Sequence, residues 1–230
     1  MQHSKKDIAV VFGASGGIGS NIYDQLKAKS FEVYGFSRNN ETTLNILNEK
    51  YLKNIANSFI EKNIKIKLFI NAIGFLHDEK YSPEKKYQDI NFEYMSKSFE
   101  VNTIPTALMI KYFVPLMEKN EKSIFATISA KVGSISDNFL GGWYSYRASK
   151  AALNQIIKTA SIEQKRLNKN LIIVSVHPGT VNTNLSKPFI GKKEIQTPED
   201  AAKKIINLLE NLTNKDSGLL LDYKNDVIPF

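Results

Sequence analysis

The amino-acid sequence predicts an α/β fold in which one doubly wound parallel sheet of about seven strands carries helices on both faces. Three observations support this prediction. Short apolar, β-branched runs alternate with longer segments whose apolar residues recur at helical spacing. Small or polar residues follow the predicted strands, as turns require. The 230 residues also suffice for a single domain, residues 1–230, with a sizeable core.

The N-terminal segments begin the alternation. An apolar run at 8–12 predicts a buried strand, and after a glycine-rich turn Ile22 and Leu26 lie one helical turn apart. A second strand is predicted at 31–37 and a short third strand at 43–46. Strand, helix and strand together form the first βαβ unit of the predicted sheet.

The middle of the chain continues with a helix at 48–62, a fourth strand at 66–71 and a helical period over 92–117. Because proline lacks a backbone N–H, Pro105 is expected to bend the last helix just after Asn102. Asn102 lies among apolar neighbours. Since a buried amide needs hydrogen-bond partners, Asn102 is either a structural residue or part of a site.

The C-terminal part supplies the remaining elements. Strands are predicted at 123–129, 171–177 and 219–221, and a long helix at 144–167. A threonine followed by a proline and two acidic residues marks the start of a helix at 197–212. The sequence shows no internal repeat or linker.

Composition excludes several classes of function. The net charge is +8, but the basic residues are nearly all lysines spread along the chain, so we expect no nucleic-acid binding. There is no cysteine, which excludes disulfides and thiolate chemistry. The first residues are too polar for a signal peptide, and no apolar run approaches the ~20 residues of a membrane helix. We therefore expect a cytoplasmic protein without a membrane partner.

The turn after the first strand is the first candidate site. Its glycines permit a tight turn and leave no Cβ to hold a phosphate away from the backbone, and the following helix directs N–H groups at an anion. The pattern predicts a dinucleotide site, with a tight turn that binds no ligand as the alternative. The cofactor-binding residues predicted here are Gly13, Ser15, Gly16, Gly17, Ile18 and Gly19.

The end of the second strand indicates which dinucleotide is bound. Ser37 and Arg38 stand where a chain that binds NAD usually has an Asp or Glu for the ribose. A carboxylate would repel a 2′-phosphate, whereas Arg38 can pair with it bidentately. We therefore expect NADP in preference to NAD. The alternative is that Arg38 is only a solvated turn residue.

Other strand ends carry further small or polar residues. Asn71, Ala72 and Gly74 follow the fourth strand, Ser129 ends the fifth, and 177–179 ends the sixth. Because the carboxyl ends of parallel strands meet at one edge of a sheet, where ligands bind, these residues are expected to converge on one site.

Tyr146 and Lys150 lie four residues apart at the start of the long helix, hence on one face. A free tyrosine has a pKa of ~10, and a nearby ammonium is expected to lower that pKa toward neutrality. Tyr146 is then the proton donor for a carbonyl that receives hydride from a nicotinamide. Two further pairs have this spacing but a less favourable context: Tyr23 with Lys27, and Tyr81 with Lys85.

Over nearly its whole length the sequence resembles the short-chain dehydrogenase/reductase family. Within that family it is most similar to the branch of carbonyl reductases and the bacterial C-factor signalling protein, on the strength of residues 141–154 and 177–181. The matching motifs are Gly13-x-x-x-Gly17-Ile18-Gly19, Asn71-Ala72-x-Gly74, Asn102, Tyr146-x-x-x-Lys150 and Pro178-Gly179.

The resemblance implies a Rossmann fold and several residue roles. It implies that Lys150 also holds the nicotinamide ribose, that Asn102 orders a water in a proton relay, and that Val181 and Thr183 contact the carboxamide. Pro178 and Gly179 are implied to bind the cofactor as well. Members of the family are usually homo-oligomers, so a homodimer or homotetramer is expected.

Two positions depart from the family pattern. Asn45 stands where the family usually has an Asp near the adenine. The usual catalytic serine, three residues before Gly133, is replaced by Ala130. Neighbouring strand residues face opposite ways, so Ser129 can serve as the catalytic serine only if the strand end twists, and Ser134 is a second candidate.

The sequence therefore predicts an NADP-dependent oxidoreductase that acts on a small carbonyl or alcohol substrate. The alternative is a dinucleotide-binding signalling or sensor protein with weak or vestigial catalysis. The predicted catalytic residues are Tyr146, Lys150, Asn102 and Ser129.

A mobile segment at 181–196 is expected to cover the substrate, with Phe189 and Ile190 as its apolar contacts. His77 has no carboxylate or cysteine at ligand spacing, so it is expected to be a surface or rim residue, and no metal site is predicted.

Overall fold

Seven strands form one sheet in a computed structural model that describes residues 6–37, 47–191 and 195–230. Across the sheet, all neighbouring pairs are parallel except the last, in which the two C-terminal strands run antiparallel. In chain order the strands are β1 (Ile8–Phe12), β2 (Glu32–Phe36), β3 (Leu68–Asn71), β4 (Ser123–Ile128), β5 (Leu171–His177), β6 (Leu220–Asp222) and β7 (Val227–Ile228). Their spatial order is β2-β1-β3-β4-β5-β6-β7, which confirms the predicted doubly wound α/β fold.

Helices cover both faces of this sheet. The helices are α1 (Gly17–Ala28), α2 (Glu49–Glu61), α3 (Phe92–Asn102), α4 (Ile104–Phe113), α5 (Tyr144–Leu167) and α6 (Pro198–Asn211). One apolar core joins the sheet to α2, α4 and α5, and a second joins the opposite face to α1 and α6. Every residue of β1 is buried, as expected for a strand that is covered on both faces.

Aromatic rings fill the first of these cores. Phe69 and Phe125, on neighbouring strands, stack with their centroids 4.5 Å apart. Phe113 of α4 packs on Phe69 at 5.1 Å. This packing fixes α4, and the end of α3 that precedes it, against the centre of the sheet.

The structure differs from the sequence prediction at a few elements. The segment 92–117 is two helices, because Thr103 leaves helical geometry (φ −116°, ψ −60°) just before Pro105, which confirms the expected bend. The antiparallel β7 was not predicted, since two residues carry no readable period. The predicted strand at 43–46 lies outside the described residues.

The carboxyl ends of four strands lie in register across the sheet. Phe12 pairs with Asn71, Asn71 with Thr127, and Thr127 with Ser175. The segments that follow these strands therefore leave the sheet at one edge. Among the helices in the described ranges, none is long and apolar enough to cross a membrane.

Candidate active site

The turn between β1 and α1 packs so tightly that glycine is required at two positions. Gly13 has a φ of +83°, and a Cβ at this position would lie 3.0 Å from the backbone carbon of Ala72. A Cβ at Gly19 would lie 2.2 Å from the Gly13 carbonyl oxygen. These glycines bring the first turn of α1 directly against the segment that follows β3.

The exposed part of this turn has the features of an anion-binding cradle. Ser15, Gly16 and Gly17 are exposed, and within the described residues no side chain caps the first turn of α1, which also contains no acidic residue. A Cβ at Gly17 would lie 2.8 Å from Cγ2 of Thr183. The N-terminus of α1 thus faces a narrow space bounded by Thr183, and this geometry fits the pyrophosphate of a dinucleotide. Ile18 is half-buried against the second core.

Asn71 has a structural role at the end of β3. Its Nδ2 donates to Oγ1 of Thr106 at 2.9 Å, and its Oδ1 accepts the Ile73 N–H at 3.1 Å. The amide thereby fixes the turn that carries Ala72 and Gly74. Gly74 is exposed at the sheet edge, where a dinucleotide can lie against the backbone.

Asn102 joins three segments at the end of α3. Its Nδ2 donates to the carbonyl of Phe75 at 2.9 Å and to Oγ of Ser149 at 3.0 Å, and its Oδ1 accepts the Phe75 N–H at 2.8 Å. The buried amide therefore ties the segment after β3 to α5. Of the two sequence interpretations, the contacts support the structural one, while the implied role in a water relay stays a prediction.

Tyr146 and Lys150 lie together in the first turns of α5. Their side chains are almost fully buried, with residue exposures of 7% and 2%. The Lys150 Nζ lies 5.9 Å from the Tyr146 ring centroid and donates a hydrogen bond of 3.0 Å to the carbonyl of Ile128 at the end of β4. A Cβ at Gly74 would lie 3.9 Å from this Nζ, so the pair stands beside the segment after β3. Within the described ranges, the Tyr146 hydroxyl has no hydrogen-bond partner.

Burial sets the protonation of both groups. Desolvation raises the pKa of Tyr146 above its usual value of 10.0 and lowers the pKa of Lys150 from 10.5 to about 8. The expected lowering of the Tyr146 pKa by Lys150 is therefore wrong for the protein alone, because burial disfavours the charged phenolate. The phenol therefore keeps its proton at neutral pH.

The serine candidates are held by other groups. Oγ of Ser129 donates to Oδ1 of Asn154 on α5 at 2.7 Å, and Oγ of Ser134 accepts the Asp137 N–H at 3.1 Å. Neither hydroxyl bonds to Tyr146 in the part of the chain that the structure describes. The catalytic role of Ser129 stays a prediction.

The two other Tyr-x-x-x-Lys pairs lie elsewhere. Lys27 is exposed on α1, with its Nζ 5.1 Å from the Tyr23 ring centroid. Tyr81 lies outside any helix and donates to Glu93 at 2.8 Å. Of the three pairs, only Tyr146 and Lys150 have both side chains buried.

The segment after β5 also lies beside the candidate site, where its Thr183 approaches Gly17. Gly179 has a φ of +79°, and the Gln196 side chain donates to the Pro178 carbonyl at 3.0 Å. Val181 and Gln196 form a parallel bridge that joins the two ends of the segment 181–196. The loop that was predicted to cover the substrate therefore starts and ends beside the strand edge.

Sequence reasoning missed Glu84, whose carboxylate is buried at the N-terminus of α5 and accepts the Ser145 N–H at 3.2 Å. Glu84 lies in a polar loop with no motif, so no signal in the sequence identifies it. Ser37, at the end of β2, is buried. Arg38 and Asn45 lie outside the described residues.

Comparison with known proteins agrees with this geometry. The chain is 27% identical over 220 residues to 1-hydroxy-2-glutathionyl-2-methyl-3-butene dehydrogenase of Rhodococcus sp. (strain AD45), covering 91% of this chain and 93% of that protein. It is 25% identical over 142 residues to C-signal of Myxococcus xanthus, covering 62% and 82%. Its fold matches the NADPH-bound carbonyl reductase from chicken fatty liver with a TM-score of 0.85 at 24% identity, over 98% and 95% of the two chains.

These relatives confirm the resemblance that the motifs predicted. A family model described as short chain dehydrogenase matches residues 7–194, which include the glycine turn, Tyr146 and Lys150. The chain therefore belongs to the short-chain dehydrogenase/reductase family and is one of its oxidoreductases.

Proposed function

We propose that this protein is an NADP-dependent oxidoreductase that transfers hydride between the nicotinamide and a small carbonyl or alcohol substrate. One observation carries the proposal: a buried tyrosine that retains its proton lies next to a buried lysine, beside the segment that follows β3 at the carboxyl edge of the sheet. A bound nicotinamide would supply the hydride. The chain itself must supply the proton and the position of the reacting carbonyl.

Each residue of the site has a distinct part in this reaction. Tyr146 donates its hydroxyl proton to the carbonyl oxygen as that oxygen gains charge. Lys150, fixed by the Ile128 carbonyl, places a positive charge below the ring and stabilises the tyrosinate that remains. Burial keeps the Tyr146 hydroxyl protonated but also makes it a weaker acid, so proton donation depends on the stabilisation of the tyrosinate by Lys150 in the transition state.

The choice of NADP rests on Arg38. The guanidinium of Arg38, the second residue after β2 in the sequence, can pair with a 2′-phosphate, and residues 37–40 contain no carboxylate to repel it. The chicken carbonyl reductase with this fold binds NADPH. Replacing Arg38 with Ala is expected to weaken NADPH binding by ~10-fold or more and to leave NADH binding unchanged. The same change at Arg166, exposed at the end of α5, is the control.

The test of the function uses the purified protein with NADPH, NADH and a panel of aldehydes, ketones and diketones. Absorbance at the nicotinamide band measures turnover, and calorimetry measures binding of each dinucleotide. The proposal expects turnover of several carbonyls with NADPH. If the protein binds neither NADPH nor NADH, the oxidoreductase proposal is refuted.

A second function is favoured by Ala130 and by the relative named C-signal. The protein would then be a dinucleotide-binding signalling or sensor protein in which catalysis is weak. NADPH binding without turnover of any member of the panel would support this alternative, and robust turnover would exclude it.

The remaining expectations concern partners and location. We propose a small-molecule substrate, a homodimer or homotetramer, a cytoplasmic location, and no nucleic-acid or membrane partner. Sedimentation of the purified protein measures the oligomeric state, and a gel-shift titration with duplex DNA tests for nucleic-acid binding.

A further inference from the structure

The residue that precedes α5 has an unusual backbone conformation. Trp143 is the only tryptophan of the chain and has φ 54° and ψ 41°, a left-handed conformation that is rare for a bulky side chain. Two glycines with positive φ, Gly141 (63°) and Gly142 (66°), come directly before it. Glycine accepts such a conformation without strain, whereas Trp143 keeps it only if its surroundings impose it.

Glu84 contacts this turn through both its backbone carbonyl and its side chain. The Trp143 N–H donates to the Glu84 carbonyl, and the Glu84 carboxylate accepts the N–H and the hydroxyl of Ser145. Glu84 is only 3% exposed and forms no salt bridge with any residue in the described ranges. It therefore takes the place of an N-cap side chain for α5 and fixes the approach of the chain to Tyr146.

The strained backbone places the indole between the catalytic tyrosine and the covering loop. The centroid of the Trp143 ring lies 6.1 Å from that of Tyr146 and 5.3 Å from that of Phe189. Phe189 in turn contacts His77 at 5.2 Å, and the His77 ring lies within hydrogen-bond distance, 3.1 Å, of the Asn184 carbonyl. We call Trp143, Phe189 and His77 the aromatic wall.

The residues of the aromatic wall come from three separate segments of the chain. Their rings contact one another in series, and the series ends at the Tyr146 ring. Each pair of rings meets edge to face, with interplanar angles of 70–72°. All three wall residues are half-buried, so part of each remains accessible. A substrate whose carbonyl oxygen is bound by Tyr146 would lie next to the part of the wall nearest that tyrosine, the Trp143 ring.

We propose that Trp143, held by Glu84, is a specificity-determining residue, and that the site prefers carbonyl substrates that carry an apolar ring. This inference rests on the proposed oxidoreductase function. An aryl ring packed on an aromatic side chain is expected to bind about 2- to 10-fold more tightly than an alkyl group that buries the same area. Glu84 acts through Trp143 and is a positioning residue.

The test compares an aryl and an alkyl carbonyl, 4-nitrobenzaldehyde and butanal, by the ratio of their kcat/KM values. Trp143→Asn removes the ring but tolerates the left-handed backbone. It is expected to lower the ratio by about 2- to 10-fold, mainly through the KM of the aryl substrate, while Trp143→Phe keeps most of the preference. An unchanged ratio in Trp143→Asn would overturn the inference.

The positioning role of Glu84 has its own variant and control. Glu84→Ala is expected to lower the same ratio and to shift the emission of the single tryptophan. Glu79→Ala removes an exposed acid from the same loop and is expected to change neither. A Glu84→Ala protein that folds and keeps both the ratio and the emission spectrum would show that Glu84 does not position Trp143.

Tryptophan fluorescence separates this inference from the proposed function. Because Trp143 is the only tryptophan, all indole emission reports on the wall. Titration with 4-nitrobenzyl alcohol, which cannot be reduced at a carbonyl, is expected to quench this emission saturably. Saturable quenching without turnover of any carbonyl would uphold the wall and refute the oxidoreductase proposal, whereas quenching that rises linearly without saturation would refute the wall.

Discussion

The buried charge of Lys150 makes the stability of the protein depend on pH in a calculable way. The lysine is 2% exposed, and its one hydrogen bond to a described residue goes to the neutral carbonyl of Ile128. No acidic side chain in the described ranges pairs with it. Burial therefore lowers its pKa from 10.5 to about 8.

The sign of the effect follows from proton binding. Between pH 8 and pH 10.5 the unfolded chain keeps the Lys150 proton and the folded chain loses it, so stability rises with pH across this window. The pKa difference corresponds to a gain of about 3 kcal/mol in the free energy of unfolding by pH 10.5. Lys150→Met removes this group and its contribution.

Urea denaturation at a series of pH values from 7 to 10.5 gives the free energy of unfolding of the wild type and of Lys150→Met. The difference between the two values at each pH measures this gain. Other titrating groups largely cancel in the difference. Lys27→Met, at an exposed lysine with the same spacing from a tyrosine, is the control and is expected to show no such gain. If the difference in unfolding free energy between the wild type and Lys150→Met stays flat across this pH window, burial does not lower the Lys150 pKa.

Three further substitutions have defined outcomes. Gly19→Ala places a Cβ 2.2 Å from a backbone oxygen, so we expect a cost of about 1–3 kcal/mol and weaker NADPH binding by calorimetry; Gly191→Ala, in open space, is the control. Ala130→Ser supplies the hydroxyl that the family usually has, and a rise in kcat of ~10-fold or more is expected in steady-state assays; an unchanged kcat would contradict it. Asn102→Ala leaves both backbone groups of Phe75 without their partner, which is expected to cost about 2–3 kcal/mol in urea denaturation.

The framework of the fold could be predicted because it depends on local pattern. The bounds of α5 and β5 coincide with the predicted 144–167 and 171–177, since apolar period, glycine and proline mark them within the sequence. The break before Pro105 was predicted for the same reason. The two-residue β7 forms only by pairing with β6, and no local pattern records such a pairing.

The candidate site was predictable at the level of segments. The strand ends that carry Gly13, Asn71 and Ser129 do lie at one edge of the sheet, because parallel strands require it. The direction of the Tyr146 pKa shift was predicted wrongly, because the spacing of two residues on a helix says nothing of burial, and burial causes the shift.

The contacts made by polar side chains were the least predictable feature. Asn71 and Ser129 were expected to face a ligand, yet each is held by a side chain from a distant helix, Thr106 or Asn154. Glu84 meets α5 across about 60 residues of sequence. Such pairs are set by tertiary packing, which a single sequence does not display.

We propose that the Tyr146 hydroxyl delivers the proton to the carbonyl oxygen of the substrate. Tyr146→Phe removes that oxygen alone, and Tyr144→Phe, two residues earlier and exposed, is the matched control. The measurement is kcat for NADPH-dependent reduction of a carbonyl, together with the NADPH dissociation constant of each variant. We predict that Tyr146→Phe loses ~10²-fold or more in kcat with NADPH binding retained and that Tyr144→Phe is unchanged, whereas near wild-type turnover by Tyr146→Phe would contradict the account.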